Sequence, residues 1–428
     1  MNELYSKIRS KKLTVAIIGL GYVGLPLFIN LAKQGFNTIG IDNNIKKIKS
    51  LNKINKKNPL LSLFKLKKKI YISNDFSKIR LCDAIIICVP TPLKKNKKPE
   101  LKFIKSAMKM VSPYLKKNQI LSLESTTFPG TTEQEIINKI NKNKNLIIGK
   151  NFFVCYSPER INPGKGNMSP FKVPKLLSGK SIKCKNLGKK LYQLIFEKVI
   201  IMKTIESAEF TKLVENIYRS VNIALVNELK IVAEKLNLNI HECIEAASTK
   251  PFGYRPFTPG PGFGGHCIPI DPYYLSYVSK LKGYNPKFIE HAGNVNRYLP
   301  KWICSKIFKR NLNYKNNKKI LIIGVSYKKG IDDYRESPAI EIAKICKKEG
   351  YKVFFSDPHV KEIFGEEKKF FTKFKSVKIS SRNLNSFGTT IIVTDHDELN
   401  YNLIRRNSKL IFDSRNVYKN KFPNVISV

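Results

Sequence analysis

The stretch from Leu13 to Asp42, LTVAIIGLGYVGLPLFINLAKQGFNTIGID, constrains the fold more than any other part of the chain. Leu13 to Ile18 is a continuous apolar run, suited to a strand buried on both faces of a parallel sheet. Gly19, Gly21 and Gly24 follow as GxGxxG. Leu25 to Lys33 reads as a helix that Gly35 ends, and Thr38 to Ile41 reads as a second strand closing on Asp42. A lone GxGxxG says little. Here it follows a strand, opens a helix and is answered by an acid at the end of the next strand, which is the whole context of a dinucleotide-binding turn. The glycines permit the tight turn and bring a pyrophosphate against the helix N-terminus. Tyr22 and Val23 lie within this turn and are counted with it as cofactor-binding. Asp42 is expected to accept hydrogen bonds from the adenine ribose hydroxyls, which favours NAD over NADP; Lys47 close by moderates that preference.

Further apolar runs close on polar turns: Cys82 to Pro92, Asn118 to Thr132 and Asn151 to Gly164. Ligands sit beyond the carboxyl ends of strands in open α/β sheets, so Thr91, Thr126 and Glu159 are candidate site residues. Each also suits a turn or a cap. From Glu206 the pattern becomes helical. Phe210, Leu213, Val214, Ile217, Val221, Ala224 and Leu225 have the spacing of a buried face. Lys212 and Asn216, four apart, share another face, which composition alone would leave in water. A helix this long is also a plausible spine between domains and a contact between copies of the chain. Next comes PFTPGPGFGGHCIPIDP, Pro256 to Pro272. Its glycines and prolines make a stiff loop that presents Cys267, with Asp271 four residues on. An ordinary turn with a stray thiol is the plainer reading of that loop alone.

Tyr273 to Tyr298 reads as helix, and Asn311 to Lys318 as a polar linker. A second α/β unit follows, with strands at Ile320 to Gly324 and Val353 to Ser356 around a helix at Pro338 to Lys348. Two more strands fall within Thr389 to Asn400 and Lys409 to Tyr418. This unit lacks GxGxxG, so no second NAD site is expected. The fold class is α/β, with two Rossmann-like α/β domains joined by a central long-helix domain. The expected limits are 1–205, 206–310 and 311–428.

A chain of 428 residues with 42% hydrophobic content can build such cores. Its eight cysteines form no CxxC pair and no zinc spacing, which fits free thiols in a reducing compartment and no metal site. The N-terminus has no apolar signal segment, and no uninterrupted apolar run approaches membrane-spanning length, so a cytoplasmic protein without membrane insertion is expected. The formal charge of +46 would suit a polyanion-binding protein. The lysines are instead scattered among asparagine and isoleucine, and no nucleic-acid motif accompanies them. Compositional drift therefore explains the charge better than a nucleic-acid partner.

In order along the chain, GLGYVGLPL, ESTTFPGTT, YSPER, KLVENIYRSVNIALVNE, GFGGHCIPIDPYYL and GVSYKKGIDDYRESPAI resemble the UDP-glucose/GDP-mannose dehydrogenase family. The match covers nearly the whole chain. Within the family, HCIPIDPYYL and ESTTFPGTT look like the branch that oxidises UDP-N-acetylhexosamines, with UDP-N-acetylglucosamine the first expectation. The UDP-glucose branch typically has SCFQKD at the cysteine, from which this chain departs; a UDP-glucose or GDP-mannose 6-dehydrogenase is the near alternative.

The resemblance implies oxidation of a C6 alcohol to a carboxylate with two NAD+, through a Cys267 thiohemiacetal and thioester. It implies that Lys212 and Asn216 stabilise an oxyanion, and that Asp271, with a water and Thr126, moves protons. Glu159 is implicated in thioester hydrolysis. Arg255 and the loop glycines, Gly264 among them, would hold the sugar diphosphate. Arg160, Arg219 and Tyr254 are grouped with the substrate, while Lys328 and Arg335 match family positions contacting ligands from the C-terminal side, Arg335 being grouped with the cofactor. His266 either lowers the pKa of the adjoining thiol or packs or contacts the acetamido group. The family habit implies a homodimer or larger homo-oligomer, and precursor synthesis for capsule or O-antigen.

Overall fold

The computed structural model describes residues 2–53, 70–94, 96–160, 170–266, 268–311 and 317–428. They form two compact units, Met1–Glu215 and Asn216–Val428.

The first unit is built on an eight-stranded sheet in the order β3-β2-β1-β4-β5-β6-β7-β8. The strands are β1 Thr14–Ile18, β2 Asn37–Ile41, β3 Ile70–Ser73, β4 Ala84–Ile87, β5 Gln119–Leu123, β6 Phe152–Tyr156, β7 Lys175–Gly179 and β8 Val199–Ile201. All pairings are parallel except β6 with β7. The strand order reverses between β1 and β4, where a doubly wound sheet opens a crevice for ligands. Alternation along β1 explains why the apolar run is continuous. Val15 and Ile17 pack into one core with helices α1 (Asn2–Arg9) and α2 (Gly24–Lys33), while Ala16 and Ile18 enter the core on the other face.

The helical stretch is one 31-residue helix, α3, Ile205–Lys235, and the boundary between the units falls within it. Its apolar pattern divides. Leu213, Ile217 and Ala224 are buried, but Phe210, Val214 and Leu225 of the expected buried face are exposed. Lys212 and Asn216 are buried, at 6% and 1% exposure, not solvated. The expected helix from Tyr273 to Tyr298 is two, α4 Asp271–Leu281 and α5 Lys287–Asn311. Gly283 takes φ +84° between them and Pro286 directly precedes the second, a pair that ends one helix and starts another.

The second unit carries a five-stranded parallel sheet in the order β10-β9-β11-β12-β13. Its strands are β9 Lys319–Ile323, β10 Lys352–Ser356, β11 Thr389–Ile392, β12 Ile411–Asp413 and β13 Val425–Ser427. Ile320 and Ile322 face one core and Leu321 and Ile323 the other, as in β1. The linker residues 312–316 lie outside the described residues. Among those described, no helix is long and apolar enough to cross a membrane.

Candidate active site

The turn after β1 fits a dinucleotide. Gly19 takes φ +90°, and a Cβ there would lie 2.9 Å from the Cys88 carbonyl oxygen. A Cβ on Gly24 would lie 2.0 Å from the Gly19 carbonyl oxygen, so only glycine lets α2 start against the strand. At Gly21 a Cβ would meet nothing within 4 Å, which leaves the backbone open to a ligand. Val23 is half-buried and Tyr22 exposed. Asp42 directly follows β2, with Oδ2 accepting from Leu20 N at 2.9 Å and Oδ1 accepting from Asn44 N at 2.9 Å. Lys47 Nζ stands 3.4 Å from Asp42 Oδ2. A carboxylate has about four acceptor sites, so Asp42 keeps capacity for a ribose after these contacts.

The other first-unit candidates lie past neighbouring strand ends. Thr91 follows β4 and Thr126 follows β5. Thr126 is half-buried within a turn fixed on either side. Ser125 Oγ donates to the Val89 carbonyl at 2.7 Å. Buried Glu209 of α3 accepts from Gly130 N at 2.7 Å, Thr132 N at 2.9 Å, Thr132 Oγ1 at 2.7 Å and Thr127 Oγ1 at 3.3 Å. Burial pushes the Glu209 carboxyl up to about 7, against the opposing effect of those donors. Glu159 follows β6 and is buried. Its neighbour Arg160 turns to protein partners: Nη2 lies 2.6 Å from Glu215 Oε1, and Nη1 donates to the Pro174 carbonyl at 2.5 Å.

In the second unit the structure brings Asn216, Arg219, Asp271, Lys328 and Arg335 around the glycine loop. Asn216 Nδ2 donates to Asp271 Oδ2 at 2.5 Å, both residues being buried, and Arg219 Nη2 stands 3.5 Å from Asn216 Oδ1. Burial, with Arg219 adding to it, pulls the Lys328 ammonium below its ordinary value. Arg335 folds its guanidinium onto Asp333, with Nε 2.8 Å from Oδ1 and Nη2 2.5 Å from Oδ2. Its carbonyl accepts from Gly265 N at 3.0 Å. The loop glycines serve packing first. A Cβ on Gly264 would lie 2.6 Å from Tyr327 Cβ, and on Gly265 2.7 Å from the Tyr327 ring. Gly260 N donates to Asn227 Oδ1 of α3 at 2.9 Å.

Cys267 itself lies outside the described residues. His266 beside it is held below its ordinary pKa by burial, then by Arg335. A neutral imidazole gives no cationic help to a neighbouring thiolate. Tyr254 and Arg255 are exposed.

Glu209, Glu124 and Lys175 are buried charges beside the first unit's candidate residues that the sequence does not single out. Glu209 was one polar residue among many on a long helix. Glu124 opens ESTTFPGTT, where nothing in the local pattern marks it as buried. Lys175 opens an apolar run in a chain with 78 Lys and Arg, where one more lysine carries no signal.

Sequence models of the UDP-glucose/GDP-mannose dehydrogenase family match the chain in three parts. The NAD binding domain matches residues 13–196, the central domain 206–298 and the UDP binding domain 321–420. The chain is 35% identical over 354 residues to UDP-N-acetyl-D-mannosamine dehydrogenase of Methanocaldococcus jannaschii, covering 81% of this chain and 80% of that one. It is 35% identical over 354 residues to UDP-N-acetyl-D-glucosamine 6-dehydrogenase of Salmonella typhi, covering 81% and 82%. The solved structure of a UDP-D-ManNAc dehydrogenase from Pyrococcus horikoshii superposes with a TM-score of 0.85 at 29% identity, covering 97% of this chain and 98% of that one.

Proposed function

Because the chain belongs to the UDP-glucose/GDP-mannose dehydrogenase family, and within it to the NAD-dependent nucleotide-sugar 6-dehydrogenases of the UDP-N-acetylhexosamine branch, we propose that its substrate is UDP-N-acetylglucosamine, oxidised at C6 to the uronic acid. The C2 epimer, UDP-N-acetylmannosamine, is a second reading. It is favoured by the names of the Methanocaldococcus relative and the Pyrococcus structure, the latter aligned over 97% of this chain.

The observation that carries the mechanism is the buried Asn216–Asp271 hydrogen bond, four residues beyond Cys267 and beside Arg219 and Lys328. When bound, NAD+ accepts hydride from C6 in each of two oxidations. Asp271, with a water and Thr126, takes the hydroxyl proton as the alcohol becomes an aldehyde. The Cys267 thiolate then adds to C6, because an sp² aldehyde carbon must become tetrahedral before it gives up its hydrogen. Lys212 Nζ and Asn216 Nδ2 hold the charge that gathers on O6. After the second oxidation C6 is a thioester. Glu159 takes a proton from the attacking water, the C–S bond breaks, and the thiolate leaves. Arg219, Arg255, Lys328 and the glycine loop bind the anionic UDP moiety. In this reading residues 1–205 are the NAD-binding domain, which also supplies Thr126 and Glu159 to the chemistry, 206–310 the central helical domain with the catalytic loop, and 311–428 the C-terminal UDP-sugar-binding domain. A catalytic thiolate suits a reducing compartment such as the cytoplasm, and the product would supply a surface polysaccharide such as capsule or O-antigen.

NADH release should be compared across UDP-N-acetylglucosamine, UDP-N-acetylmannosamine, UDP-N-acetylgalactosamine, UDP-glucose and GDP-mannose. The expected kcat/KM for the preferred N-acetylated sugar exceeds that for UDP-glucose by about 10²-fold, the loss when a site built to pair an amide goes unfilled. Equal turnover of UDP-glucose would overturn the branch-specific part.

The chain is also expected to self-associate. Tyr218, Leu225, Leu229 and Val232 form an exposed apolar stripe on α3 at helical spacing, suited to a second copy of the same stripe. Light scattering should give a dimer or larger; a monomer at micromolar concentration would contradict this.

A further inference from the structure

We propose that Lys175 and Glu124 are positioning residues for Glu159: Lys175 fixes the Glu159 carboxylate, and Glu124 fixes Lys175, so that the water releasing the acid product meets a carboxylate already aimed. The proposal rests on the hydrolytic role given to Glu159 above.

Lys175 begins β7 with its side chain 1% exposed. A lysine so deep loses its hydration and must be paired. Its Nζ lies 2.8 Å from Glu124 Oε2 and 3.0 Å from Glu159 Oε2. The rings of Tyr192 and Phe196 stand 5.7 and 5.0 Å from it, in the range of cation–π contacts. The ammonium therefore has two carboxylates and two ring faces around it. Its pKa is raised: burial alone would lower it, and the two carboxylates outweigh burial.

The two carboxylates are not equivalent. Glu124 follows β5, and its side chain is wholly buried. Its second oxygen accepts from Tyr192 Oη at 2.7 Å, and that hydroxyl also meets Ser122 Oγ at 2.8 Å. Burial raises the Glu124 carboxyl, opposed by Lys175 and reinforced by Glu159. No water reaches it. Glu159 keeps 11% of its side chain exposed and is held at both oxygens, Oε2 by Lys175 and Oε1 by Arg160 N at 2.8 Å. Arg160 in turn is tied to Glu215 and to Pro174 O. Of the pair, only Glu159 can address a water, and it does so from a fixed orientation.

A single lysine facing one carboxylate would already be a complete buried ion pair. A second buried carboxylate carries a desolvation cost with no gain in core packing. Sharing the ammonium leaves Glu159 more basic than it would be alone with Lys175, which suits a group that must take a proton from water. Among the described residues, the other ionisable groups around Lys175 and Glu124 are Tyr192 and Cys88, both pushed up by burial and both neutral near pH 7.

The test compares Lys175→Met, Lys175→Arg and Glu124→Gln with the wild type and with Glu159→Gln, using UDP-N-acetylglucosamine and UDP-N-acetylmannosamine. The readouts are the NADH burst, steady-state kcat against pH, and the mass of acid-quenched enzyme. Lys175→Met should keep the burst rate, lower kcat by about 10²-fold and accumulate a sugar thioester on the protein, since mispositioning by about 1 Å costs that much. Lys175→Arg should recover most of kcat. Removing the positive charge should move the acidic limb of the kcat profile to higher pH. Glu124→Gln, which removes a negative charge, should move it lower, and this variant decides the matter if Lys175→Met does not fold. Equal loss of burst and kcat in Lys175→Met, or limbs unmoved in both charge variants, would overturn the proposal. If Glu159→Gln accumulates the thioester and Lys175→Met does not, only the positioning claim fails. If Glu159→Gln does not accumulate it either, the hydrolytic role fails first.

Discussion

A Cys267→Ala protein is expected to release at most one NADH per nucleotide sugar on the timescale of normal turnover, and to leave an aldehyde at C6. Without the thiolate, the carbon becomes tetrahedral only by uncatalysed addition of water. The second oxidation then loses its covalent route, a loss on the order of 10⁴-fold or more for an essential nucleophile. NAD affinity should be unchanged, because the dinucleotide turn is set by Gly19 and Gly24 against their own strand neighbours. Carbonyl-reactive hydrazine added to the assay should trap the aldehyde. A Cys267→Ala protein that still gave two NADH per sugar at the wild-type rate would rule out the covalent mechanism. It would leave the NAD-dependent activity standing.

The second large effect is at Lys212. The residue is 6% exposed on α3, one turn from Asn216. Lys212→Met keeps length and apolar stem and removes only the charge. Loss of one preorganised oxyanion group costs about 10²–10³ in kcat, roughly 3 kcal/mol of transition-state stabilisation. Because the charge on O6 develops only along the reaction, KM should change by less than about threefold. A rise in KM with kcat intact would reassign Lys212 to ground-state binding. Lowering kcat together with thermal stability would mark it as a structural cation.

What could be read in advance follows from range. The dinucleotide turn was legible because its constraints are local: a positive φ at Gly19 and a missing Cβ at Gly24 are imposed by atoms within a few residues or on the adjacent strand. The alternation of β1 between two cores was legible for the same reason. The Lys212–Asn216 spacing could be read, but their burial could not, since nothing in a helical period says which polar face is covered. The same limit hid the exposure of Phe210, Val214 and Leu225. The break between α4 and α5 turned on Gly283 and Pro286, signals that the surrounding helical pattern outweighed. Lys175 was out of reach altogether. Its meaning comes from Glu124, 51 residues earlier, and from Tyr192 and Phe196 on the following segment, brought together only by the pairing of β5, β6 and β7.

The chemistry ties these residues to one quantity, the number of hydrides taken from each sugar. The most direct measurement is the ratio of NADH formed to UDP-N-acetylhexosamine consumed at completion, with the sugar product identified by mass. Four-electron oxidation predicts two NADH per sugar, a C6 carboxylate and no free aldehyde. One NADH per sugar, or a product that stops at the aldehyde, would contradict it.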